Sequence, residues 1–164
     1  MTEASYEKIE TWFRANKLRL DILRFLNWLL PKIVYVSYPL LLGLLAFQRN
    51  PKFWRVLFIP AAVFVGVTVI RKKINAKRPY EVLSIHPLIE KNKSGQSFPS
   101  RHTVSVFIIA MAYLYCSRPL GIVMLIIGVV IAAIRPIAGI HFPRDVIAGA
   151  SISLIIGWVF FLLI

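Results

Sequence analysis

The chain contains one cysteine and few acidic residues. Cys116 by itself cannot form an intramolecular disulfide, and no second cysteine or Cys/His cluster offers the ligand spacing of a zinc site. Seven Asp and Glu stand against 20 Lys and Arg, which gives a formal net charge of +13. Such a charge attracts anions, and nucleic acid is one class of them. The basic residues bracket apolar stretches instead of lining one polar face, however, so we expect no nucleic-acid partner and favour anionic head groups and phosphoesters.

Internal repeats, low-complexity tracts and linkers are also missing, so residues 1–164 are predicted to form one domain. The first 17 residues lack the basic start and apolar centre of a cleavable signal peptide, which leaves membrane insertion to internal spans. What the chain does have is apolar residues: 58% of the sequence is hydrophobic and the mean hydropathy is +0.71. A soluble domain of this length cannot bury so much apolar surface, so we expect an all-α integral membrane protein.

Five apolar stretches are free of charged residues and are predicted to form transmembrane helices. They cover residues 33–47, 56–70, 103–117, 119–134 and 146–164. Several are shorter than the roughly 20 residues that cross the hydrocarbon core, but flanking aromatic and basic side chains can extend them into the interface.

Residues 6–30 differ from these stretches, because basic residues interrupt Trp, Phe and Leu at short intervals. This pattern predicts an amphipathic helix lying at the membrane interface. The alternative is a short sixth span over residues 18–30, in which Asp21 and Arg24 would lie near each other on one helical face. The predicted fold is a helical bundle of five or six transmembrane helices with an N-terminal amphipathic interfacial helix within residues 1–30.

Three polar segments are predicted to meet at one end of this bundle. Counting five spans along the chain places residues 71–78, 98–102 and 135–145 on the same side of the membrane. The connection over residues 71–101 is long and polar, whereas the other connections are short. Long polar loops in a compact membrane protein usually carry function, so we expect the active site at this end.

All three histidines, His86, His102 and His141, lie on that side, and two of them are at predicted helix ends. Downstream of Glu90 the only acid is Asp145, four residues after His141. This spacing places the two side chains on one face of a helix, where a carboxylate can fix the tautomer of an imidazole and make it more nucleophilic.

Arginines and a helix start near these histidines indicate an anion site. Arg71, Arg78 and Arg135 carry guanidinium groups, which match phosphate oxygens bidentately. Ser100 is placed to cap the helix that follows, whose free N–H groups favour an anion. The alternative interpretation is that basic residues only mark helix ends at the head groups. We adopt that interpretation for five lysines: Lys72, Lys73, Lys77, Lys91 and Lys93.

Together these segments resemble the type 2 phosphatidic acid phosphatase superfamily. Its three signatures read Lys-x6-Arg-Pro, Pro-Ser-Gly-His and Ser-Arg-x5-His-x3-Asp. In this chain they correspond, in order and at compatible spacing within residues 71–145, to Arg71-x6-Arg78-Pro79, Pro99-Ser100-Arg101-His102 and Arg135-x5-His141-x3-Asp145.

The resemblance implies a chemical role for each matching position. His141 would attack phosphorus, Asp145 would orient His141, and His102 would protonate the departing oxygen. The phosphoryl oxygens would be held by Arg71, Arg78, Ser100, the backbone at Arg101, and Arg135. Members of this kind need no metal or other cofactor, which agrees with the absence of a carboxylate cluster from the sequence.

Three positions depart from the family pattern. Arg71 replaces a lysine, and a neighbouring lysine would substitute for it if the helix end were shifted. Arg101 replaces a glycine, so either the backbone has no positive φ there or the added cation engages substrate. Ile134 replaces the serine before Arg135 and removes a hydroxyl that could touch phosphate.

The resemblance also implies a phosphorylated lipid as substrate and the bilayer as surroundings. Undecaprenyl diphosphate, phosphatidate and phosphatidylglycerophosphate are all compatible, and the small size favours a bacterial member acting on undecaprenyl diphosphate. Bacterial relatives place the site on the outer face of the plasma membrane. The positive-inside rule predicts the opposite orientation, because residues 71–101 contain eight Lys or Arg and residues 48–55 contain three. We adopt the orientation of the bacterial relatives.

Two alternatives come from other functional classes. A lipid phosphotransferase would use the same phosphohistidine and pass phosphate to another lipid. A noncatalytic lipid-binding subunit would keep the helices without the chemistry.

Overall fold

The structure is a computed structural model that describes residues 1–91 and 93–163. Within these residues it is helical and contains no strand. In chain order the helices are α1 (Glu3–Arg14), α2 (Lys17–Phe47), α3 (Lys52–Ile74), α4 (Pro79–Val82), α5 (Arg101–Cys116), α6 (Arg118–Ile137) and α7 (Pro143–Gly157), which continues as a π-helical segment (Trp158–Leu163).

Five of these helices form the membrane bundle, as predicted. Helices α2, α3, α6 and α7 with its π-helical continuation are long and apolar enough to cross a bilayer, and α5 is a shorter apolar helix of 16 residues. Helix α5 is central: residues 103–113 are all buried, and it contacts α2, α3, α6 and α7. Because protein surrounds most of α5, its length of about 24 Å need not match the roughly 30 Å hydrocarbon core. The last residue of the fifth predicted span, Ile164, lies outside the described residues.

The predicted helix over residues 6–30 is instead divided between two helices. Helix α1 is amphipathic and ends at Arg14, and the side chain of Asn16 then caps α2 by accepting a hydrogen bond from the backbone N–H of Leu18 (2.9 Å). Helix α2 continues unbroken through Pro31 to Phe47. Residues 18–30 are therefore continuous with the first candidate span, and they form neither a separate interfacial helix nor a separate sixth span. A proline is tolerated within α2 because neighbouring groups in a membrane bundle can compensate for the lost hydrogen bond.

Helix α1 lies against the loop that follows α4. Tyr6 is fully buried, and its hydroxyl oxygen accepts a hydrogen bond from the backbone N–H of Leu88 (3.1 Å). The carboxylate of Glu3 accepts another from the backbone N–H of Ser84 (2.8 Å). The N-terminal helix therefore covers the same end of the bundle that carries the predicted site.

The first turns of α5 and α7 lie side by side at this end. Gly149 of α7 allows this approach, because a Cβ atom there would lie 3.0 Å from the carbonyl oxygen of Ser100. The backbone N–H of Ser100 donates to the carbonyl of Asp145 (2.8 Å), and the hydroxyl of Ser153 donates to the carbonyl of Val104 (2.9 Å). These contacts bring the second and third signature segments together.

Candidate active site

A polar cavity of about 290 Å³ lies where the three signature segments converge. Five of the eight predicted site residues line it: Arg71, Arg78, Arg101, His102 and His141. The remaining wall comes from the loop between α4 and α5 and includes Lys91, Lys93, Ser94, Gly95 and Gln96. The cavity is therefore strongly cationic and contains two imidazoles.

His141 and Asp145 form a buried pair at the edge of this cavity. The Nδ1 atom of His141 lies 3.6 Å from Oδ2 of Asp145, and the two side chains are 2% and 1% exposed. Asp145 is in the first turn of α7, whereas His141 precedes that helix, so the pair meets across a turn and not along one helix face as the spacing predicted. The backbone N–H of Phe142 donates to the same carboxylate oxygen (3.0 Å) and fixes its direction.

Ser97 joins this pair, although no sequence motif pointed to it. Its hydroxyl donates to Oδ2 of Asp145 and lies 3.3 Å from Nδ1 of His141. Ser97 is fully buried, so the pair is shielded from water on this side. Because Nδ1 of His141 faces the carboxylate and the serine, Nε2 is the ring nitrogen that remains for other partners.

Burial sets the protonation state of His141. It lowers the pKa of the imidazole to about 4, an effect opposed by the hydrogen bond to Asp145 and strengthened by the nearby charges of Arg78 and Arg71. The imidazole is therefore neutral near pH 7, the form in which a ring nitrogen can act as a nucleophile.

The turn before α7 places His141 in the cavity wall. Gly139 has a φ of +75°, a left-handed conformation that suits glycine, and it reverses the chain after α6. A Cβ atom at this position would lie 2.5 Å from the hydroxyl oxygen of Tyr6. Pro143 then occupies the first turn of α7, where its missing N–H costs nothing.

Arg71 lines the cavity and also holds the loop before α5. It is buried in the last turn of α3, and its guanidinium donates to three backbone carbonyls, those of Gln96, Ser97 and Pro99. The two lysines that follow Arg71 are exposed, so neither substitutes for it. The arginine found in place of the family lysine thus supplies the additional donors that order this loop.

Arg78, like Arg71, lines the cavity and also donates hydrogen bonds to backbone carbonyls. Its Nε donates to the carbonyl of Gly95 (3.1 Å) and its Nη1 to the carbonyl of Ile140 (3.1 Å). It therefore connects the loop before α5 to the turn that carries His141. The carboxylate of Glu81 accepts hydrogen bonds from the backbone N–H groups of Arg78 (2.7 Å) and Gly95 (2.9 Å), which fixes both ends of this connection.

Arg101 and His102 are the first residues of α5. Arg101 has a right-handed helical backbone, so the position requires no glycine, and its guanidinium lies 5.5 Å from the centre of the Phe64 ring. The His102 ring lies 6.5 Å from that of Tyr35 in α2, measured between centroids. His86, the third histidine on this side, is exposed and is not among the residues that line the cavity.

Ser100 and Arg135 are buried and are not among the residues that line the cavity. Ser100 occupies the N-cap position of α5, but its side chain makes no capping hydrogen bond, contrary to the prediction; it accepts one from the hydroxyl of Thr103 (3.0 Å). Arg135 is 3% exposed, and no described residue accepts a hydrogen bond from its Nε. A buried charged donor of this kind is costly unless an anion binds near it.

Lys91 and Lys93 line the cavity, whereas we predicted that they only mark helix ends at the head groups. Burial, together with the charges of neighbouring arginines and lysine, lowers the pKa of Lys91 to about 8. The sequence carries no signal that would separate these two lysines from the others in the loop, because the loop has no periodicity.

An apolar groove of about 270 Å³ adjoins the polar cavity between α2, α3 and α5. Tyr35 and Phe64 line the groove and lie next to two residues of the cavity, because the Tyr35 ring is near His102 and the Phe64 ring is near the Arg101 guanidinium. The other groove residues are Tyr38, Leu57, Pro60, Ala61, Ser105, Ile108 and Ile109.

Comparison with known proteins gives one family match and several related proteins. The family model described as the PAP2 superfamily matches residues 52–164. Undecaprenyl-diphosphatase BcrC of Bacillus subtilis (strain 168) is 34% identical over 84 residues, which cover 51% of this chain and 43% of that protein. An undecaprenyl-diphosphatase of Sulfolobus acidocaldarius is 30% identical over 130 residues, covering 78% of this chain and 62% of that protein. The matched regions thus span less than two thirds of both curated relatives.

Two solved structures share the fold. The crystal structure of Aquifex aeolicus LpxE has a TM-score of 0.65 and 26% sequence identity, with 85% of this chain and 92% of that chain covered. That of a PAP2-type phosphatidylglycerolphosphate phosphatase from Bacillus subtilis has a TM-score of 0.62 and 20% identity, with 96% and 85% covered.

Proposed function

This chain belongs to the PAP2 superfamily, and from that premise we propose that it is a metal-independent membrane phosphatase that removes phosphate from a lipid through a phosphohistidine. The observation that carries the proposal is the convergence of His141, His102 and three arginines on one cavity, with Nδ1 of His141 facing Asp145. A cationic cavity at the end of a membrane bundle suits a phosphate at the head-group level.

The first step is attack by His141 on phosphorus. A bond forms between Nε2 and phosphorus, the bond from phosphorus to the leaving oxygen breaks, and its electron pair stays on that oxygen. The positive charge that develops on the imidazole is stabilised by Asp145, whose carboxylate is held by Ser97 and the N–H of Phe142.

His102 acts on the leaving oxygen. In its protonated form it donates a proton to that oxygen, and the resulting neutral imidazole then takes a proton from water. This water attacks the phosphohistidine, the phosphorus–nitrogen bond breaks with its electron pair returning to His141, and phosphate is released. The location of both histidines in the wall of one cavity supports this division of roles.

The arginines stabilise the phosphoryl oxygens. Arg71, Arg78 and Arg101 line the cavity, and Arg135 is buried with no partner for its Nε among the described residues. The N–H groups of the first turn of α5 and the hydroxyl of Ser100 would contribute further donors. Such preorganised charge accounts for much of the rate in phosphoryl transfer.

We infer that the substrate is a lipid phosphate or diphosphate, with undecaprenyl diphosphate as the first candidate. The apolar groove beside His102 and the names of the curated relatives support this choice. By analogy with bacterial relatives, we place the protein in the plasma membrane with the cavity on the outer face.

The decisive experiment measures phosphate release in detergent, with chelator present, from undecaprenyl diphosphate, phosphatidate and phosphatidylglycerophosphate. We expect release from at least one of them and an acid-labile, alkali-stable phosphoprotein during turnover. His141→Gln and His102→Gln should be folded and inactive, whereas Asp145→Asn should retain slow turnover. Full activity of His141→Gln would refute the mechanism, and no release from any lipid would refute the function.

Transfer to a lipid acceptor is tested in the same assay. Labelled donor is incubated with a candidate acceptor lipid, and hydrolysis predicts that all label appears as inorganic phosphate. Label in the acceptor would instead identify a phosphotransferase.

Orientation is tested with a membrane-impermeant maleimide on intact cells. In a Cys116→Ser background, Lys77→Cys marks the cavity side and Gln48→Cys the opposite side, and both positions are exposed. We expect only Lys77→Cys to react. Labelling of Gln48→Cys alone would place the cavity inside.

A further inference from the structure

We propose that Lys91, assisted by Lys93, forms a second phosphate subsite that makes the enzyme selective for a lipid diphosphate over the corresponding monophosphate. Both lysines line the cavity that contains His102 and His141. The inference rests on the proposed function, because it concerns the substrate of the same site.

Lys91 lies in an anchored segment of the loop between α4 and α5. Three residues earlier, the fully buried Leu88 is held through its N–H by Tyr6 of α1. Two residues later, the carbonyl of Lys93 accepts a hydrogen bond from the hydroxyl of Tyr80 (2.5 Å). The side chain of Lys91 is itself partly buried. It therefore has a defined place in the wall and differs in this from an ordinary solvated surface lysine.

The charge of Lys91 is not balanced by protein. Four neighbouring cations act on it, namely Arg135, Arg78, Lys93 and Arg101. Within the described residues, the acids that form ion pairs are Glu10 and Asp145, and neither pairs with Lys91. Of the two acids near Lys91, Glu81 accepts hydrogen bonds from Ser94, Gly95 and the backbone of Arg78, and Glu90 is exposed and is not among the acids that form ion pairs. A ligand with more negative charge than one phosphate therefore gains most from this wall.

We assign Lys91 to the leaving-group side, because it lines the same cavity as His102, the residue that we assign to the leaving oxygen, and its charge acts on that imidazole. When a diphosphate reacts, the terminal phosphorus bonds to His141, the bond to the bridging oxygen breaks, and the electron pair remains on the lipid monophosphate. Charge then builds on a phosphate, which an ammonium stabilises. When a monophosphate reacts, the leaving oxygen becomes an alcohol and depends on the proton from His102 alone.

The test compares kcat/KM for a prenyl diphosphate and the matching prenyl monophosphate in detergent micelles. We expect Lys91→Gln to lower the value about 10–100-fold for the diphosphate and less than about threefold for the monophosphate. Lys91→Arg should restore most of the loss, because it restores the cation. Lys77→Gln is the matched control, since Lys77 is an exposed lysine outside the cavity wall, and it should behave as wild type.

Two further measurements, product-type inhibition and the pH dependence of the diphosphate preference, test the subsite even if the monophosphate is hydrolysed poorly. Inorganic pyrophosphate should inhibit the wild type more strongly than inorganic phosphate, and Lys91→Gln should remove this difference. Above about pH 8 the wild type should lose its diphosphate preference, because the ammonium of Lys91 loses its proton, while Lys91→Arg keeps it. Equal losses for both substrates in Lys91→Gln would overturn the subsite and leave the proposed function standing. A wild-type protein inactive on both substrates would overturn the function itself.

Discussion

Ser97 offers the sharpest test of how the nucleophile is positioned. Its hydroxyl donates to Oδ2 of Asp145 and lies 3.3 Å from Nδ1 of His141, with no exposure to solvent. Ser97→Ala removes this donor and adds no bulk. The carboxylate keeps the N–H of Phe142 at 3.0 Å, so it should remain in place but with more freedom.

The magnitude follows from the charge of the acceptor. A hydrogen bond to a charged group contributes about 1.5–3 kcal/mol. If all of that energy were expressed in the transition state, the rate would fall about 10–100-fold, because each 1.4 kcal/mol corresponds to a factor of ten. Since Phe142 continues to hold Asp145, we expect a loss near the lower limit, about tenfold in kcat, with KM unchanged.

The assay is steady-state phosphate release in detergent, alongside thermal unfolding of the same samples. Ser153→Ala is the matched control, because Ser153 is also fully buried but donates to two carbonyls, those of Val104 and Gly149, away from the cavity. It should lose about 1 kcal/mol of stability with no change in kcat. Wild-type kcat in Ser97→Ala, or an equal loss of kcat in both variants, would refute the positioning role.

Three other predictions concern stability. As pH falls from 6.5 towards 4, His141 gains a proton in the unfolded chain but stays neutral in the folded protein, so the free energy of unfolding should drop by on the order of 3 kcal/mol. Unfolding temperatures measured across this pH range should show the drop, and the unfolding temperature of His141→Gln should depend less on pH. Gly139→Ala should lower the unfolding temperature, because a left-handed backbone costs alanine about 1–2 kcal/mol and its Cβ meets Tyr6; Gly66→Ala, which meets nothing, should not. Tyr6→Phe should cost about 1–3 kcal/mol by leaving the N–H of Leu88 unpaired, and unchanged hydrogen exchange at Leu88 would contradict this.

Local pattern predicted the membrane helices but not the boundary before the first of them. The charges in residues 18–30 resemble those of an interfacial helix, yet no residue between the N-cap Asn16 and Pro31 ends the helix, and α2 continues through Pro31. Hydropathy measures the polarity of a segment, whereas the end of a helix depends on capping and on backbone hydrogen bonds. The charges at the start of α2 therefore indicated the wrong boundary.

The loop before α5 shows the opposite case, in which sequence carried almost no information. Ser97 and Lys91 belong to a segment without periodicity, and their positions depend on distant partners. Arg71 and Arg78 hold the carbonyls before α5, and Tyr6 holds Leu88. No local pattern encodes contacts between residues so far apart in the chain.

The sequence by itself determined that the chain is a helical membrane protein and which histidines and arginines would lie at one end of it. A chain that crosses the hydrocarbon core must form long apolar helices, because its backbone N–H and C=O groups have to be hydrogen-bonded within the helix. Counting these helices along the chain assigns each connection to one side of the membrane. Only the tertiary structure decided which side chains reach the cavity. It brought Ser97 to Asp145, brought the hydroxyls of Ser100 and Thr103 together, and placed Lys91 in one cavity wall with three arginines. Those contacts depend on packing between elements that are far apart in the chain, so no local sequence pattern predicts them.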